Sequence, residues 1–204
     1  MRYTSGMATA SPLGRATAED LARLPLDVRA EVIGGAIVEK ATPSAEHSDA
    51  QGEVIARLRG PFHRRPGGGR PGGWWILPEV EIELDPQEVY RPDIAGWRRE
   101  RTPERPSGRP VKSRPDWVCE VLSASNASND LVKKLRVYHR FQITHYWIVD
   151  PQNETLTVLR WTADGYLAAL TAGPGDRARG EPFEAVELPV GALFGGDEEP
   201  AAGT

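Results

Sequence analysis

The sequence predicts an α/β fold in which helices pack on a mixed sheet. Two nearly continuous apolar runs, Trp117 to Leu122 and His145 to Val149, read as buried central strands. A helical segment from Asp130 to Phe141 separates them, with Leu131, Leu135 and Tyr138 on one face. A strand–helix–strand crossover of this kind makes its two strands parallel. Gly34-Gly35 and Asp164-Gly165 mark hairpins near the two ends of the chain, which adds antiparallel pairs.

Residues 1–16 are small and polar without periodicity, and disorder is expected there. Thr17, with Asp20 three residues on, starts a short helix that ends near Pro25. Ala30 to Glu39 is a hairpin, and Pro43-Ser44 precedes a helix from Ala45 to about Arg59, with Val54, Ile55 and Leu58 on one face. Three prolines and five glycines make Pro61 to Gly73 a loop. Trp74 to Leu77 is a strand. Glu79 to Leu84 reads as another, with Val80, Ile82 and Leu84 inward and a wet face of Glu79, Glu81 and Glu83. Ile94 to Trp97 is a strand following Pro92, and 98–115 is a loop rich in proline and arginine. Ser123 to Asn129, Ser125 included, is a turn offering helix caps. Thr155 to Trp161 and Tyr166 to Leu170 form the last hairpin. One domain is expected over 17–195, with an acidic, disordered tail at 196–204.

A composition of 39% hydrophobic and 26% charged residues is that of a globular chain. The single Cys119 excludes an intrachain disulfide and a cysteine-rich zinc site, and fits a reducing cytoplasm. No apolar run approaches the roughly 20 residues that span a bilayer. The N-terminus also lacks the apolar segment of a signal peptide, so a soluble cytoplasmic protein with no membrane partner is expected. The net charge of −4 argues against a basic coat, but it is unevenly placed. Residues 91–114 carry eight Arg/Lys against Asp93, Glu100 and Glu104, and a second basic stretch runs from Arg57 to Arg70. Such segments either anchor phosphates or are simply solvated loops.

Asp93 and Glu120 interrupt apolar stretches. Burying a carboxylate costs several kcal/mol unless it is paired, hydrogen-bonded or holding a metal. If the two strands are adjacent, both carboxylates converge at one end of the sheet, where they repel unless a cation lies between them. Mg²⁺ or Mn²⁺ would resolve that conflict and could activate water against a phosphodiester. Lys134, four residues after Asp130 and four before Tyr138, can point back to the carboxylates while Lys133 faces solvent. Each residue alone has a plainer reading: Asp93 as a turn cap, Glu120 as partner of a structural arginine, Lys134 as a solvated lysine. Their order and spacing favour a site.

Pro92-Asp93, Glu120-Val121-Leu122-Ser123, Asp130 to Tyr138 and Tyr146-Trp147-Ile148-Val149-Asp150-Pro151 together resemble the Uma-type restriction endonuclease family of the PD-(D/E)XK nuclease superfamily. Glu31 to Gly35 and Pro43 to His47 match it upstream, so the resemblance covers about 17–195. It implies a restriction-endonuclease-like core with an N-terminal hairpin and a C-terminal β-hairpin added. Asp93, Glu120 and the Val121 carbonyl would be metal ligands, and Glu31 and His47 would stand further out. Where the superfamily places its lysine, two residues after the glutamate, this chain has Leu122. The family resemblance moves that role to the following helix, here Lys134.

The resulting expectation is a Mg²⁺- or Mn²⁺-dependent nuclease acting on DNA in preference to RNA, with Asp93, Glu120 and Lys134 catalytic. Arg98, Arg99 and Arg101 are candidate phosphate contacts, Trp97 a candidate for base stacking, and Glu79 a further outer ligand. A homodimer would supply the two sites that double-strand cutting needs. The rival reading is a degenerate nuclease-fold module that binds nucleic acid or a protein without cutting. A glycosidase carboxylate pair is a third, but it leaves Lys134 and the basic loop unexplained.

Overall fold

The computed structural model describes residues 14–25, 27–123 and 127–197, the side chains of 127–130 aside. Most of the expected N-terminal and C-terminal disorder, and the cap offered by Ser125, fall outside these residues, as does the Asp130 side chain.

The chain runs α1 (Ala18–Ala22), β1 (Ala30–Ile33), β2 (Ala36–Glu39), α2 (Ala45–Phe62), β3 (Trp74–Pro78), β4 (Ile82–Asp85), β5 (Glu88–Tyr90), β6 (Ile94–Arg98) and β7 (Trp117–Val121). It continues through α3 (Ala127–Arg140), β8 (His145–Asp150), β9 (Thr155–Thr162), β10 (Gly165–Ala172), β11 (Arg177–Ala178), β12 (Leu188–Pro189) and a 3₁₀ turn at Val190–Phe194. The main sheet has the order β10-β9-β8-β7-β6-β3 and a smaller one the order β2-β1-β5-β4. β7 and β8, joined through α3, are parallel, and the other pairs are antiparallel. The fold is thus the mixed α/β architecture that the crossover predicts.

The period of two along β7 sorts its side chains. Trp117, Cys119 and Val121 face the cluster that holds Ala50, Val54, Leu58 and Phe62 of α2. Val118 faces the opposite cluster, with Tyr138, Ile143 and Tyr146, and Glu120 points to that side also. The α2 residues recur every four positions, which places them in one stripe. Phe183 fills the centre of the first cluster, its ring 4.9 Å from those of both Trp74 and Trp117.

Three expectations are corrected. The strand expected at Glu79–Leu84 begins only at Ile82, because Glu79 adopts a left-handed φ of 53°, and it pairs with a short strand, β5, that the pattern did not suggest. Its supposed wet face is not wet at Glu81, which is buried and paired with both Arg91 and Arg109. The helix expected to stop near Arg59 runs on through Pro61 to Phe62, because burial of Phe62 against Phe183 extends the apolar stripe by one turn.

Candidate functional site

The register of β6 against β7 pairs Ile94 with Cys119. Continued by one residue, it sets Asp93 opposite Glu120, although 27 positions separate them in the chain. Asp93 is fully buried and its two oxygens are engaged differently. Oδ2 accepts the backbone N–H of Val121 at 2.7 Å. Oδ1 accepts Lys40 Nζ at 2.6 Å and lies 3.3 Å from His47 Nε2. The Asp93 carbonyl takes the Gln51 side-chain amide at 2.8 Å and the Glu79 N–H at 3.1 Å. His47 and Gln51 are four apart on α2, so one helical face closes over this end of β6.

Glu120, on the α3 side of β7, is held by that helix. Tyr138 donates its hydroxyl to Oε1 at 2.8 Å, and Lys134 Nζ lies 3.1 Å from Oε2. Lys134 also lies 3.4 Å from Glu31 Oε1, which in turn accepts the Arg91 N–H at 2.8 Å. Glu31 belongs to the smaller sheet, so the cluster joins both sheets and both long helices. Lys134 is 3% exposed and Glu120 5%, hence neither charge is met mainly by water.

The electrostatics follow the packing. Burial pushes Glu120 up to about 7; Lys134 opposes the rise and the Asp93 charge adds to it. Burial acts the same way on Asp93, but the His47 hydrogen bond and the Lys40 charge outweigh it and hold the carboxyl well below the usual range. Burial would lower Lys40, yet Asp93 and then Glu120 keep its ammonium above its ordinary value. Tyr138 is raised well above the phenol range by burial and by Glu120, so its hydroxyl is a donor.

The structure therefore brings together Asp93, Glu120, Lys134, Glu31, His47 and the Val121 backbone. It places Arg98, Arg99 and Arg101 elsewhere, from the far end of β6 into the following loop. Arg101 is bound to Asp116 at 2.7 Å. Arg98 and Arg99 lie over Trp74 and Trp75, at 4.7 and 3.4 Å, and with Arg65 line a cleft of about 470 Å³. Trp97 is fully buried with its N–H donated to the Ser113 carbonyl, so it has no face to offer a base. Glu79 stands at the margin, 2.6 Å from Arg29 and 3.9 Å from Lys40.

Lys40 is the residue that sequence reasoning missed. It follows a strand whose Val38 and Glu39 are exposed, where a lysine reads as solvated. No local pattern marks it, because its partner is 53 residues away.

Among the described residues no group of three His, Cys, Asp or Glu suits a metal ion. The oxygen donors that meet are the Asp93 and Glu120 carboxylates, beside the Val121 backbone. Two carboxylates with water completing the shell suit a hard cation such as Mg²⁺, so the donor chemistry fits. The lysine already on each carboxylate does the charge-balancing that a cation would otherwise do.

The fold is similar to that of a crystal structure described as a "putative nuclease belonging to DUF820 from Anabaena variabilis ATCC 29413". The TM-score is 0.70 at 20% identity, covering 88% of this chain and 97% of that one. No curated protein matches the sequence. The model of the family Uma2, described as "Putative restriction endonuclease", matches residues 18–191, and the chain belongs to that family.

Proposed function

We propose that this protein is a metal-dependent nuclease that hydrolyses phosphodiester bonds, in DNA rather than RNA. The observation that carries the reading is the meeting of Asp93 and Glu120 at one end of β6 and β7, with Lys134 on Glu120. Mg²⁺ or Mn²⁺ bound by Asp93, Glu120 and the Val121 carbonyl would polarise the phosphoryl oxygen and lower the pKa of a water. Tyr138 and the Val121 N–H fix the two carboxylates by one oxygen each. Lys134, steadied by Glu31, supplies a positive charge where charge builds up on the phosphoryl group or the attacking water. His47 orients Asp93 from α2.

Arg98 and Arg99, joined by Arg65, are proposed phosphate contacts at the far end of β6, whereas Arg101 is taken up by Asp116. A homodimer would bring two sites to a duplex, and the cytoplasm is the proposed location.

One observation favours a second reading, a module that binds without cutting: Asp93 is fully buried and both carboxylates already carry a lysine. Incubation of supercoiled plasmid, single-stranded DNA and RNA with Mg²⁺, Mn²⁺ or EDTA separates the two. Cleavage that needs metal and disappears in Asp93→Ala, Glu120→Ala and Lys134→Ala supports the nuclease. Nucleic-acid binding without cleavage at any metal concentration supports the module.

A further inference from the structure

We propose that Lys40 is a resident counter-ion that a divalent cation must displace from Asp93, so that this side chain sets both metal affinity and access to the site. The inference rests on the metal-dependent reading above.

A carboxylate offers about four lone-pair positions. On Asp93 three are directed at protein groups: Lys40 Nζ at 2.6 Å and His47 Nε2 at 3.3 Å on Oδ1, and the Val121 N–H at 2.7 Å on Oδ2. The side chain is only 1% exposed, so solvent screens little of the charge on it. An ammonium and a divalent cation cannot share contact with the same oxygen, because like charges at that separation repel strongly where water is excluded. A metal that takes Oδ1 therefore displaces Lys40.

Of the two lysines in the cluster, Lys40 is the one placed to leave. Its side chain is 14% exposed against 4% for Lys134. It follows β2, the edge strand of the smaller sheet, so its departure disturbs no central strand. A second carboxylate stands beside it: Glu79 Oε2, on a side chain 29% exposed and also holding Arg29 at 2.6 Å, is 3.9 Å from Nζ. The hydrogen bond to the Arg91 carbonyl, 2.8 Å, is the other contact to break. Lys134, in contrast, lies between Glu31 and Glu120 and stays with the site.

The test measures metal alone, without nucleic acid. Free Mn²⁺ is followed by electron paramagnetic resonance during titration of wild type, Lys40→Met, Lys40→Arg and Asp93→Asn, each checked for folding by circular dichroism. Lys40→Met is expected to bind Mn²⁺ about tenfold more tightly or better, Lys40→Arg no more tightly than wild type, and Asp93→Asn to lose the site. In parallel, reductive methylation of wild type with peptide mapping reads Lys40 directly. It should be protected without metal and labelled at saturating Mg²⁺, while Lys134 stays protected throughout. Equal Mn²⁺ affinity in wild type and Lys40→Met overturns the inference and leaves the nuclease reading standing. Mn²⁺ binding to none of the proteins overturns both. If Lys40→Met fails to fold, the labelling decides: protection of Lys40 unchanged by saturating Mg²⁺ overturns the proposal.

Discussion

Lys134 Nζ lies 3.1 Å from Glu120 Oε2 and binds the middle of α3 to the end of the central strand β7. Removing one partner of a buried ion pair leaves an uncompensated charge, which costs about 3–5 kcal/mol. Lys134→Ala is therefore expected to lower the unfolding free energy by about 3 kcal/mol and to abolish cleavage. Glu120→Gln should also abolish cleavage but cost only about 1 kcal/mol, since Glu31 at 3.4 Å still neutralises Lys134 and the repulsion between Glu120 and Asp93 is relieved. Urea denaturation of both variants checks the difference; equal losses would show that the pair does not govern local stability.

Tyr138 donates to the other oxygen of Glu120 at 2.8 Å, and its ring packs on Tyr90 and Tyr146. Tyr138→Phe keeps the ring contacts and strips the carboxylate of one donor. The expected loss is about 1–3 kcal/mol. A calorimetric transition at the wild-type temperature would mean that Oε1 finds another donor.

Gly96 is a packing requirement in the middle of β6. A Cβ there would stand 2.8 Å from Trp117 Cε3 and 3.3 Å from Trp74 Cε3, and both indoles are wedged against Phe183. Gly96→Ala is expected to destabilise the protein by about 1–3 kcal/mol through overpacking. Because β6 also carries Asp93, cleavage should fall with it. Thermal unfolding and the plasmid assay on one preparation test the two effects together.

His145, at the start of β8, gives a pH dependence separate from the site. Burial, followed by the charges of Arg98 and Arg160, lowers its pKa from 6.5 to about 4. Glu181 lies 3.6 Å from Nε2 but is itself held by Arg160 at 2.8 Å, so it does not offset the fall. The unfolded chain thus binds a proton at a higher pH than the folded one. The stability His145 contributes is whole above pH 6.5 and is lost as pH falls toward 4. Discounted for its partial exposure, the loss is about 1–2 kcal/mol. His145→Gln should flatten the stability profile between those limits in urea titrations, and an unchanged slope would assign the acid limb to other groups.

Much of the architecture was legible because it rests on local patterns. The two apolar runs at Trp117–Val121 and His145–Val149, with a helix between them, allow little but a parallel pair. The Glu120 carboxylate stood out in that run because an unpaired buried charge is so costly. The α3 face was readable too: Lys134 and Tyr138 sit one turn apart, and both reach Glu120. The smaller sheet was harder. β5 is three residues long, too short to show a period, and the left-handed Glu79 broke the alternation that suggested one longer strand.

Local side-chain pattern accounts for the strands and helices with strong periodicity, the parallel crossover and the chain order Asp93, Glu120, Lys134. These depend on neighbours within a turn or two of backbone, where side-chain pattern dictates direction. Which charges meet was fixed by the packing of the folded chain. It set Lys40 on Asp93 across 53 residues, linked Glu31 to Lys134, buried Glu81 between two arginines, and put Arg98 and Arg99 at the opposite end of β6. Charge pairing acts through space and carries no period along the chain. It becomes visible only when strand register and helix packing fix which buried carboxylate each cation must neutralise.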